Sequence, residues 1–244
     1  MEAVQALLQT YLFQDLSPAE VEGLAHLAVE RNLVRGEDAC RVGDPADELW
    51  IIVAGQFKEY RLDPDGNEYV NELMGPGQVF GEPGIFSSER NRVVNVTALE
   101  HSTVLTIHRD ALFSFLIAHP PAMLRLLEGI ASEARTARPE VTMMAYSSLS
   151  ERVIAKLLQL AQWDETSKRD GVVELQISQS LLASMVGATR EKVNRALAPL
   201  VEDGLVRLEY RRILLPDIQA LRRLVPRDDL DTHPRHRRPR RAQG

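Results

Sequence analysis

The sequence predicts an α+β protein with a β-rich first half and a helical second half that holds a helix-turn-helix. Three observations carry this prediction. Short β-type runs broken by turns fill residues 29–107, and many short strands at such spacing are typical of a barrel or sandwich. A long amphipathic helix is predicted from Pro121 to about Ser147. Residues 178–200 then read as two short helices joined by a tight glycine turn.

Length and composition place the chain among cytoplasmic globular proteins. It has 244 residues, of which 44% are hydrophobic, enough to build the core of one large or two modest domains. No apolar run approaches the ~20 residues of a membrane span, and the first residues lack the basic leader of a signal peptide. The single cysteine, Cys40, cannot form an internal disulfide, which fits a reducing compartment.

The charge is distributed unevenly along the chain. The net charge is −6, but residues 1–147 carry 11 Lys+Arg and 22 Asp+Glu, whereas residues 148–244 carry 18 and 13. The positive part therefore contains the helix-turn-helix. This asymmetry between halves is expected of a protein that binds nucleic acid through one domain.

In the first half, local patterns predict helices and then strands. Apolar spacing predicts helices over residues 1–28, with a fresh helix start at Ser17-Pro18. A buried strand is predicted at residues 49–53, and a hairpin turn at residues 63–67. Further strands are predicted at residues 93–98 and 102–107, followed by a short helix at residues 110–116.

The long helix carries an apolar stripe. Its members recur at helical spacing: Met123, Leu126, Leu127, Ile130, Ala134, Val141 and Met144. Such a stripe on a helix that bridges two domains favours a dimer seam, with packing against its own barrel as the alternative. Pro139 interrupts the helix and predicts a bend or restart near Arg138, because proline removes a backbone hydrogen bond.

The second half reads as a winged helix-turn-helix followed by a tail. The predicted elements are a helix at 150–163, a strand at 172–177, a β-wing at 204–208 and 212–215, and a last helix at 218–224. Residues 226–244 have no apolar periodicity and six arginines, so a disordered basic tail is predicted. It would either attract phosphates without specificity or merely improve solubility.

The helix-turn-helix carries a chemically distinctive outer face. Ala183 lets the two helices approach, Gly187 takes the turn, Val193 locks the second helix, and Thr189 stands at its N-cap. The outward residues of the second helix are Arg190, Glu191, Asn194 and Arg195. Arginine can bond guanine O6 and N7 together, and a carboxylate can accept from cytosine N4. A solvated charged face on an ordinary helical hairpin is the alternative interpretation.

A second cluster of chemically useful residues lies between Phe80 and Ala98. Gly81 permits close approach of the backbone, and Glu82 can accept a hydrogen bond from a ribose hydroxyl. Arg92 can neutralise a phosphate with a fork of donors. By itself this pattern is a weak indication of an anion or nucleotide site.

Taken in order, these stretches resemble the cyclic-AMP receptor (CRP/FNR) family of bacterial transcription regulators. The resemblance rests on LWIIVAGQFK, GPGQVFGE, the cassette ending in Arg92, the long helix and ATREKVNRAL, and it covers roughly Leu12 to Val225. It implies an eight-stranded jelly-roll sensor over 1–118, a central dimerisation helix over 119–147 and a winged helix-turn-helix over 148–225. The basic tail, 226–244, follows.

The resemblance also implies roles for individual residues. Gly81 and Glu82 match the family's cassette glycine and ribose-binding glutamate, and Arg92 matches its phosphate-binding arginine. On the DNA side, Thr189 and Asn194 belong to the face whose base-reading members would be Arg190, Glu191 and Arg195, specific for TGTGA-type half-sites. Phosphate contacts before the first helix of the motif would come from Ser178, Gln179 and Ser180.

Two departures from the family pattern concern the effector. Arg92 is followed by Val93 where the cyclic-AMP-binding pattern has serine, and the family's adenine-contacting Thr-Ser pair falls on Ala137 and Arg138. The phosphate end of a nucleotide site is therefore expected to be mostly kept, and the base end rebuilt. This argues against cyclic AMP and leaves cyclic GMP, another ligand or no ligand open.

These observations together predict a cytoplasmic, homodimeric regulator that binds double-stranded DNA at a near-palindromic operator. RNA polymerase is a candidate partner, and neither a membrane, a metal nor a catalytic residue is expected. The alternatives are a small-molecule sensor or an enzyme on a cupin-like β-barrel. Such an enzyme would need clustered metal ligands, for which the barrel offers only His101 and His108.

Overall fold

The computed structural model describes residues 2–132, 147–163, 168–169 and 172–225. These residues form two compact units: residues 2–61 and 71–131 belong to the first, and residues 62–70 belong with those from 132 onward to the second. The predicted bend at Pro139 and the tail 226–244 lie outside the described residues. Among the described helices, none combines the length and apolar character that crossing a bilayer requires.

Two short helices open the first unit, α1 (Glu2–Leu8) and α2 (Pro18–Leu27). The expectation of helix across residues 1–28 is wrong between them, because residues 9–16 form consecutive turns. The Thr10 hydroxyl donates to the Leu7 carbonyl at 2.7 Å, a local bond that competes with continued helix.

The predicted helix start at Ser17-Pro18 is confirmed. The Glu20 carboxylate accepts from the Ser17 N–H at 2.7 Å and from the Ser17 hydroxyl at 2.6 Å. These bonds hold the first turn of α2 in place, since the N–H groups at a helix start have no partner within the helix.

Eight strands follow. They are β1 (Val29–Leu33), β2 (Asp38–Cys40), β3 (Glu48–Ala54), β4 (Phe57–Leu62), β5 (Glu68–Met74), β6 (Val79–Phe80), β7 (Asn95–Ala98) and β8 (Ser102–His108). One sheet has the order β1-β8-β3-β6 and the other β2-β7-β4-β5. The jelly-roll prediction is confirmed, with the described strands in two four-stranded sheets rather than in one closed barrel.

Strand β3 shows why the first unit has two cores. Its side chains alternate between the faces of the sheet, as they must in a strand. Leu49 and Ile51 join a cluster with the helices, and Trp50 and Ile52 join a second cluster with residues of both sheets. Both faces are therefore buried, which explains why LWIIV is a continuous apolar run rather than an alternating one.

Three helices complete this unit: α3 (Glu82–Phe86), α4 (Arg109–Ala118) and α5, which covers residues 120–132. The predicted helix after Pro121 is confirmed as far as residue 132. Its stripe proves to be split. Leu126 is buried and Met123 packs against the helical cluster, whereas Leu127 is 55% exposed and Ile130 39% exposed. Leu124, outside the predicted stripe, is 60% exposed.

The second unit has the predicted winged arrangement. Its elements are α6 (Leu149–Trp163), β9 (Lys168–Arg169), β10 (Val172–Leu175), α7 (Gln179–Met185), α8 (Arg190–Glu202), β11 (Arg207–Glu209), β12 (Arg212–Leu215) and α9 (Ile218–Arg222). The sheet order is β11-β12-β10-β9. The helices and the sheet share an apolar interior that contains Val153, Leu157, Leu182, Leu197, Ile213 and Leu221.

Cys40 is buried at the end of β2, in the cluster between the two sheets. Burial raises the pKa of its thiol to about 11, because the thiolate would lose its hydration there. The thiolate is the form that attacks electrophiles and binds metals. Near neutral pH, Cys40 therefore behaves as a small apolar residue of the core.

We expect Cys40 to react with iodoacetamide at least about tenfold more slowly in the native protein than in urea at pH 8.5, because far less thiolate is present. The rate in urea should level off above about pH 9. The native rate should keep rising towards pH 11, the region of the raised pKa. Mass spectrometry of timed samples gives both rates. A native rate that levels off near pH 9 would contradict the burial of this thiol.

Candidate effector cassette and nucleic-acid interface

The effector cassette, which covers residues 81–92, begins where β6 ends. Gly81 adopts φ 98° and forms the N-cap of α3, so that Glu82 is the first residue of the helix. A left-handed backbone of this kind is favourable only for glycine. Space is limiting as well, because a Cβ at position 81 would lie 2.2 Å from the Nη1 atom of Arg92. The glycine is thus required by both its backbone angle and its neighbour.

The side chain of Arg92 is inside the protein, with 5% of the residue exposed. Its Nη1 donates to the Gly81 carbonyl at 3.1 Å, and its Nη2 donates to the Glu48 carbonyl at 2.6 Å. Burial lowers the pKa of Arg92, while the nearby carboxylates, including Glu48 and Glu82, act in the opposite direction. The guanidinium stays charged, since arginine is not deprotonated in proteins. It is a buried cation with five N–H donors.

The carboxylate of Glu82 is also buried, with 8% of the residue exposed. The Tyr11 hydroxyl donates to its Oε1 atom at 3.3 Å. Tyr11 lies in the turns between α1 and α2 and was not among the residues singled out by the sequence. No local signal could have found it, because 71 positions separate the two partners.

The structure therefore brings Gly81, Glu82 and Arg92 together in one cassette. Val93 follows on the chain, but its side chain is 44% exposed. The remaining candidate effector residues, Ala137 and Arg138, lie outside the described residues. A buried cation beside a buried carboxylate can bind a group that has both an anion and a hydroxyl, as a nucleotide does.

The two histidines considered as metal ligands have other surroundings. His101 is exposed, and His108 Nδ1 accepts from the Asp110 N–H at 3.3 Å as the N-cap of α4. Within the described ranges, no group of three or more His, Cys, Asp or Glu side chains is arranged to hold a metal ion.

The turn of the helix-turn-helix has the geometry that its sequence predicts. Gly187 has φ 61°, and the Ala188 N–H donates to the Ala183 carbonyl at 3.1 Å, which ends α7. The Thr189 hydroxyl then accepts from the Lys192 N–H at 3.4 Å and caps α8. Val193 is fully buried beneath the motif. The turn thus sets how α8 leaves the core.

The outward face of α8 is free for contact. Its side chains are all exposed: Arg190, Glu191, Asn194 and Arg195. Glu191 and Arg195 stand one turn apart, a spacing that allows an ion pair. No ion pair or side-chain hydrogen bond engages any of the four within the described part of the chain. Two cations, a carboxylate and an amide therefore project together into solvent.

The residues before the motif divide by role. The Ser178 hydroxyl accepts from the Leu181 N–H at 3.1 Å, so this side chain caps α7. Gln179 is half-buried and Ser180 is exposed on the first turn of α7. The structure places all three together at the start of the motif, with Ser178 already committed to the cap.

The wing adds basic residues that the sequence analysis did not single out. The strands β11 and β12 are joined at Tyr210 and Arg211, both exposed, and Arg211 has φ 58°. Arg207 is exposed on β11. Arg212 Nη1, by contrast, is paired with the Glu174 carboxylate at 2.8 Å. Arginines on either side of a predicted hairpin turn were the signal that could have found this group.

Two known protein families match this chain. A cyclic nucleotide-binding domain matches residues 30–119, and a Crp-like helix-turn-helix domain matches residues 151–224. The first range contains the cassette, and the second contains α7, α8 and the wing. The class is thus a transcription regulator with a cyclic-nucleotide-binding domain and a DNA-binding helix-turn-helix.

Relatives that match most of the chain show to which family of regulators it belongs. The chain is 32% identical over 220 residues to the CRP-like cAMP-activated global transcriptional regulator of Mycobacterium tuberculosis, covering 90% of this chain and 98% of the relative. It is 29% identical over 198 residues to the Cyclic AMP receptor protein of Thermus thermophilus, covering 81% and 88%. The chain belongs to the CRP/FNR family of transcription regulators.

Solved structures show the same fold. FixK2 from Bradyrhizobium japonicum has a TM-score of 0.70 at 25% identity, with 82% of this chain and 98% of that chain covered. The c-di-GMP responsive global regulator CLP of Xanthomonas campestris has a TM-score of 0.70 at 24% identity, covering 82% and 100%. This likeness covers most of the chain in each case.

We expect Gly81→Ala to lower the free energy of unfolding by about 2–3 kcal/mol, because it combines backbone strain with a clash against Arg92. Gly36→Ala is the matched control. Gly36 has a similar φ of 85° but nothing within 4 Å of an added Cβ. Backbone strain alone should therefore lower its free energy of unfolding, by about 1 kcal/mol. Urea denaturation measures both. Equal losses would show that the contact with Arg92 adds no constraint.

Proposed function

We propose that this protein acts as a homodimer that reads a near-palindromic TGTGA-type operator through α8. The observation that carries the proposal is the exposed, unpaired face formed by Arg190, Glu191, Asn194 and Arg195. A surface of this composition has no partner among the described residues of its own chain. It has the donors and acceptors that base edges in the major groove require.

Each side chain of this face has a role in the proposal. Arg190 and Arg195 donate to O6 and N7 of guanines, and Glu191 accepts from a cytosine N4 amine. Asn194 supports them on the same face, while Thr189 keeps its capping role at the start of α8. Ser178, Gln179 and Ser180 adjoin the phosphate backbone. Such phosphate contacts fix the register of the protein on the duplex without selecting a sequence.

The partner on the protein side is a second copy of this chain. Leu124, Leu127 and Ile130 project from α5 at a spacing of three residues, and all are exposed. Ala122 and Leu126 of the same helix are buried in the core of its own unit. An exposed apolar row on a helix is a common protein interface. A two-fold dimer would place two α8 helices about 34 Å apart, one turn of DNA.

The proposal also includes the domain boundaries, the cellular location and the partners of the protein. The sensor covers 1–118, the dimerisation helix 119–147, the DNA-binding domain 148–225 and the basic tail 226–244. The protein is proposed to act in the cytoplasm, to contact RNA polymerase at promoters and to catalyse no reaction. The Mycobacterium tuberculosis relative is a global transcriptional regulator by name, which supports a regulatory rather than an enzymatic role.

For the effector, we propose a ligand of the cyclic-nucleotide type that cyclic AMP fits poorly. Arg92 supplies a cation for a phosphate, and Glu82 supplies an acceptor for a ribose hydroxyl. Val93 lacks the hydroxyl that serine would offer beside the phosphate. Ala137 and Arg138 replace the pair that would recognise adenine. Arg92 and Glu82 already have partners within the protein, which supports a ligand-free form that is stably folded.

We expect Arg190→Ala to weaken binding to a TGTGA-type palindrome by about 1–3 kcal/mol and to relax the preference at one guanine of each half-site. Arg223→Ala is the control, because it removes one exposed positive charge at the end of α9, a helix that carries none of the proposed base-reading residues. Selection from random DNA with each variant reports both effects. Selected sites without two-fold-related half-sites would contradict the assignment.

We expect operator binding in the absence of nucleotide and little change with millimolar cyclic AMP. Val93→Ser should strengthen cyclic AMP binding by about 10- to 100-fold, the worth of one hydrogen bond to a charged group. Val42→Ser makes the same change at another exposed valine of the same unit and should have no effect. Calorimetry and operator titration measure these outcomes. Tight cyclic AMP binding by the unaltered protein, with strict dependence of DNA affinity on it, would contradict the proposal.

A further inference from the structure

The turns between α1 and α2 bring Tyr11 into the cassette. Its hydroxyl donates to Glu82 Oε1, the group proposed above to accept from a ribose hydroxyl. Both the donor and the ligand hydroxyl would therefore use the same buried carboxylate. Because only 8% of Glu82 is exposed, a ligand hydroxyl would have to approach the carboxylate close to the Tyr11 hydroxyl.

Tyr11 is held in this position by its neighbours in sequence. Leu12 is 2% exposed and Phe13 is fully buried, and both belong to the core that joins the helices to the first sheet. The Phe13 ring meets the Phe115 ring edge-on with centroids 5.6 Å apart. These anchors fix the backbone of the turn, so that Tyr11 can leave Glu82 mainly by rotation of its own side chain.

The ring of Tyr11 also lies against α5. A Cβ added at Gly129 would lie 2.7 Å from the Tyr11 hydroxyl oxygen and 2.8 Å from its Cε2 atom, so the ring would have to shift for any larger residue. One turn earlier on the same helix, Arg125 Nε donates to Asp15 Oδ2 at 2.6 Å. Residues four apart share a helix face. The turn therefore contacts α3 through Tyr11 and α5 through both Tyr11 and Asp15.

We propose that Tyr11 is a further residue of the effector pocket, which holds Glu82 in the ligand-free protein and is displaced by the ribose hydroxyl of an effector. Displacement would also move the Tyr11 ring from its place beside Gly129. Ligand binding and the packing of α5 are then linked, because a ligand that binds one arrangement better shifts the protein towards it. This inference rests on the proposed effector function of the cassette.

If Tyr11 had only a structural role, its replacement by phenylalanine would change the affinity for the effector differently than displacement predicts. If the hydroxyl only positioned Glu82 for the ligand, its removal would weaken binding or leave it unchanged. If the hydroxyl competes with the ligand, its removal must strengthen binding, because less is lost when the effector takes its place. The direction of change in affinity separates the two roles.

The test compares Tyr11→Phe with the unaltered full-length protein by calorimetry, using cyclic AMP and 2′-deoxy cyclic AMP as probes at up to millimolar concentration. We expect Tyr11→Phe to bind cyclic AMP about tenfold more tightly, as loss of one hydrogen bond to a charged acceptor implies. Its affinity for the deoxy probe, which has no ribose hydroxyl, should be unchanged. Tyr60→Phe is the control, because it removes a hydroxyl of the same unit that makes no hydrogen bond within the described residues.

A second variant approaches the same contact from the other side. Gly129→Ala would force the Tyr11 hydroxyl, which lies 2.7 Å from the added Cβ, to shift from its place at Glu82 and should also strengthen cyclic AMP binding, provided that urea denaturation shows it to be folded. Unchanged or weaker binding of cyclic AMP by Tyr11→Phe, beside measurable binding by the unaltered protein, would overturn the role of Tyr11 and leave the effector function standing. Absence of cyclic AMP binding by both proteins, and by Val93→Ser as well, would instead refute the effector function, and the displacement role with it.

Discussion

The Arg92 guanidinium lies almost wholly out of water, and its charge is met by the backbone carbonyls of Gly81 and Glu48. A buried charge is costly unless hydrogen bonds satisfy it, so the surrounding chain must stay where these carbonyls are. Its own backbone is fixed as well, since its N–H donates to the Asp44 carbonyl at 2.8 Å. One residue thus ties the start of α3 to β3 and to the loop before it.

This constraint has a functional side. The bonds that stabilise the guanidinium without a ligand leave part of its donor set for an anion, because only two of five N–H groups are used by these carbonyls. Glu82 likewise has a partner within the protein, because the Tyr11 hydroxyl donates a hydrogen bond to it. An effector anion could therefore use the remaining donors of Arg92, whereas a ligand hydroxyl at Glu82 must offer a better partner than Tyr11. Selectivity for a ligand then depends in part on this exchange of hydrogen bonds at Glu82.

Each of the two units has a helix with one side buried in the core and another side exposed. Helix α5 packs one side into the core of its own unit and leaves an apolar row exposed on the other. Helix α8 buries Val193 and Leu197 and leaves its charged residues in solvent. In each case the buried side sets the orientation of the exposed side. An interaction surface built in this way is held rigidly by the core beneath it.

The sequence by itself determined the strands, the hairpin turn, the helix-turn-helix and the outward face of α8, because each depends on apolar period, glycine or capping residues within a few positions. It also indicated the family through motifs in a fixed order. Only the tertiary structure decided that Tyr11 meets Glu82, that Glu48 supplies a carbonyl to Arg92, and that Leu126 is buried while Leu127 is not. The first two are contacts between residues far apart in the chain, and the third depends on which of two neighbouring apolar residues of one helix is buried. Local patterns cannot make such choices, because they are settled by which surfaces pack together when the whole unit folds.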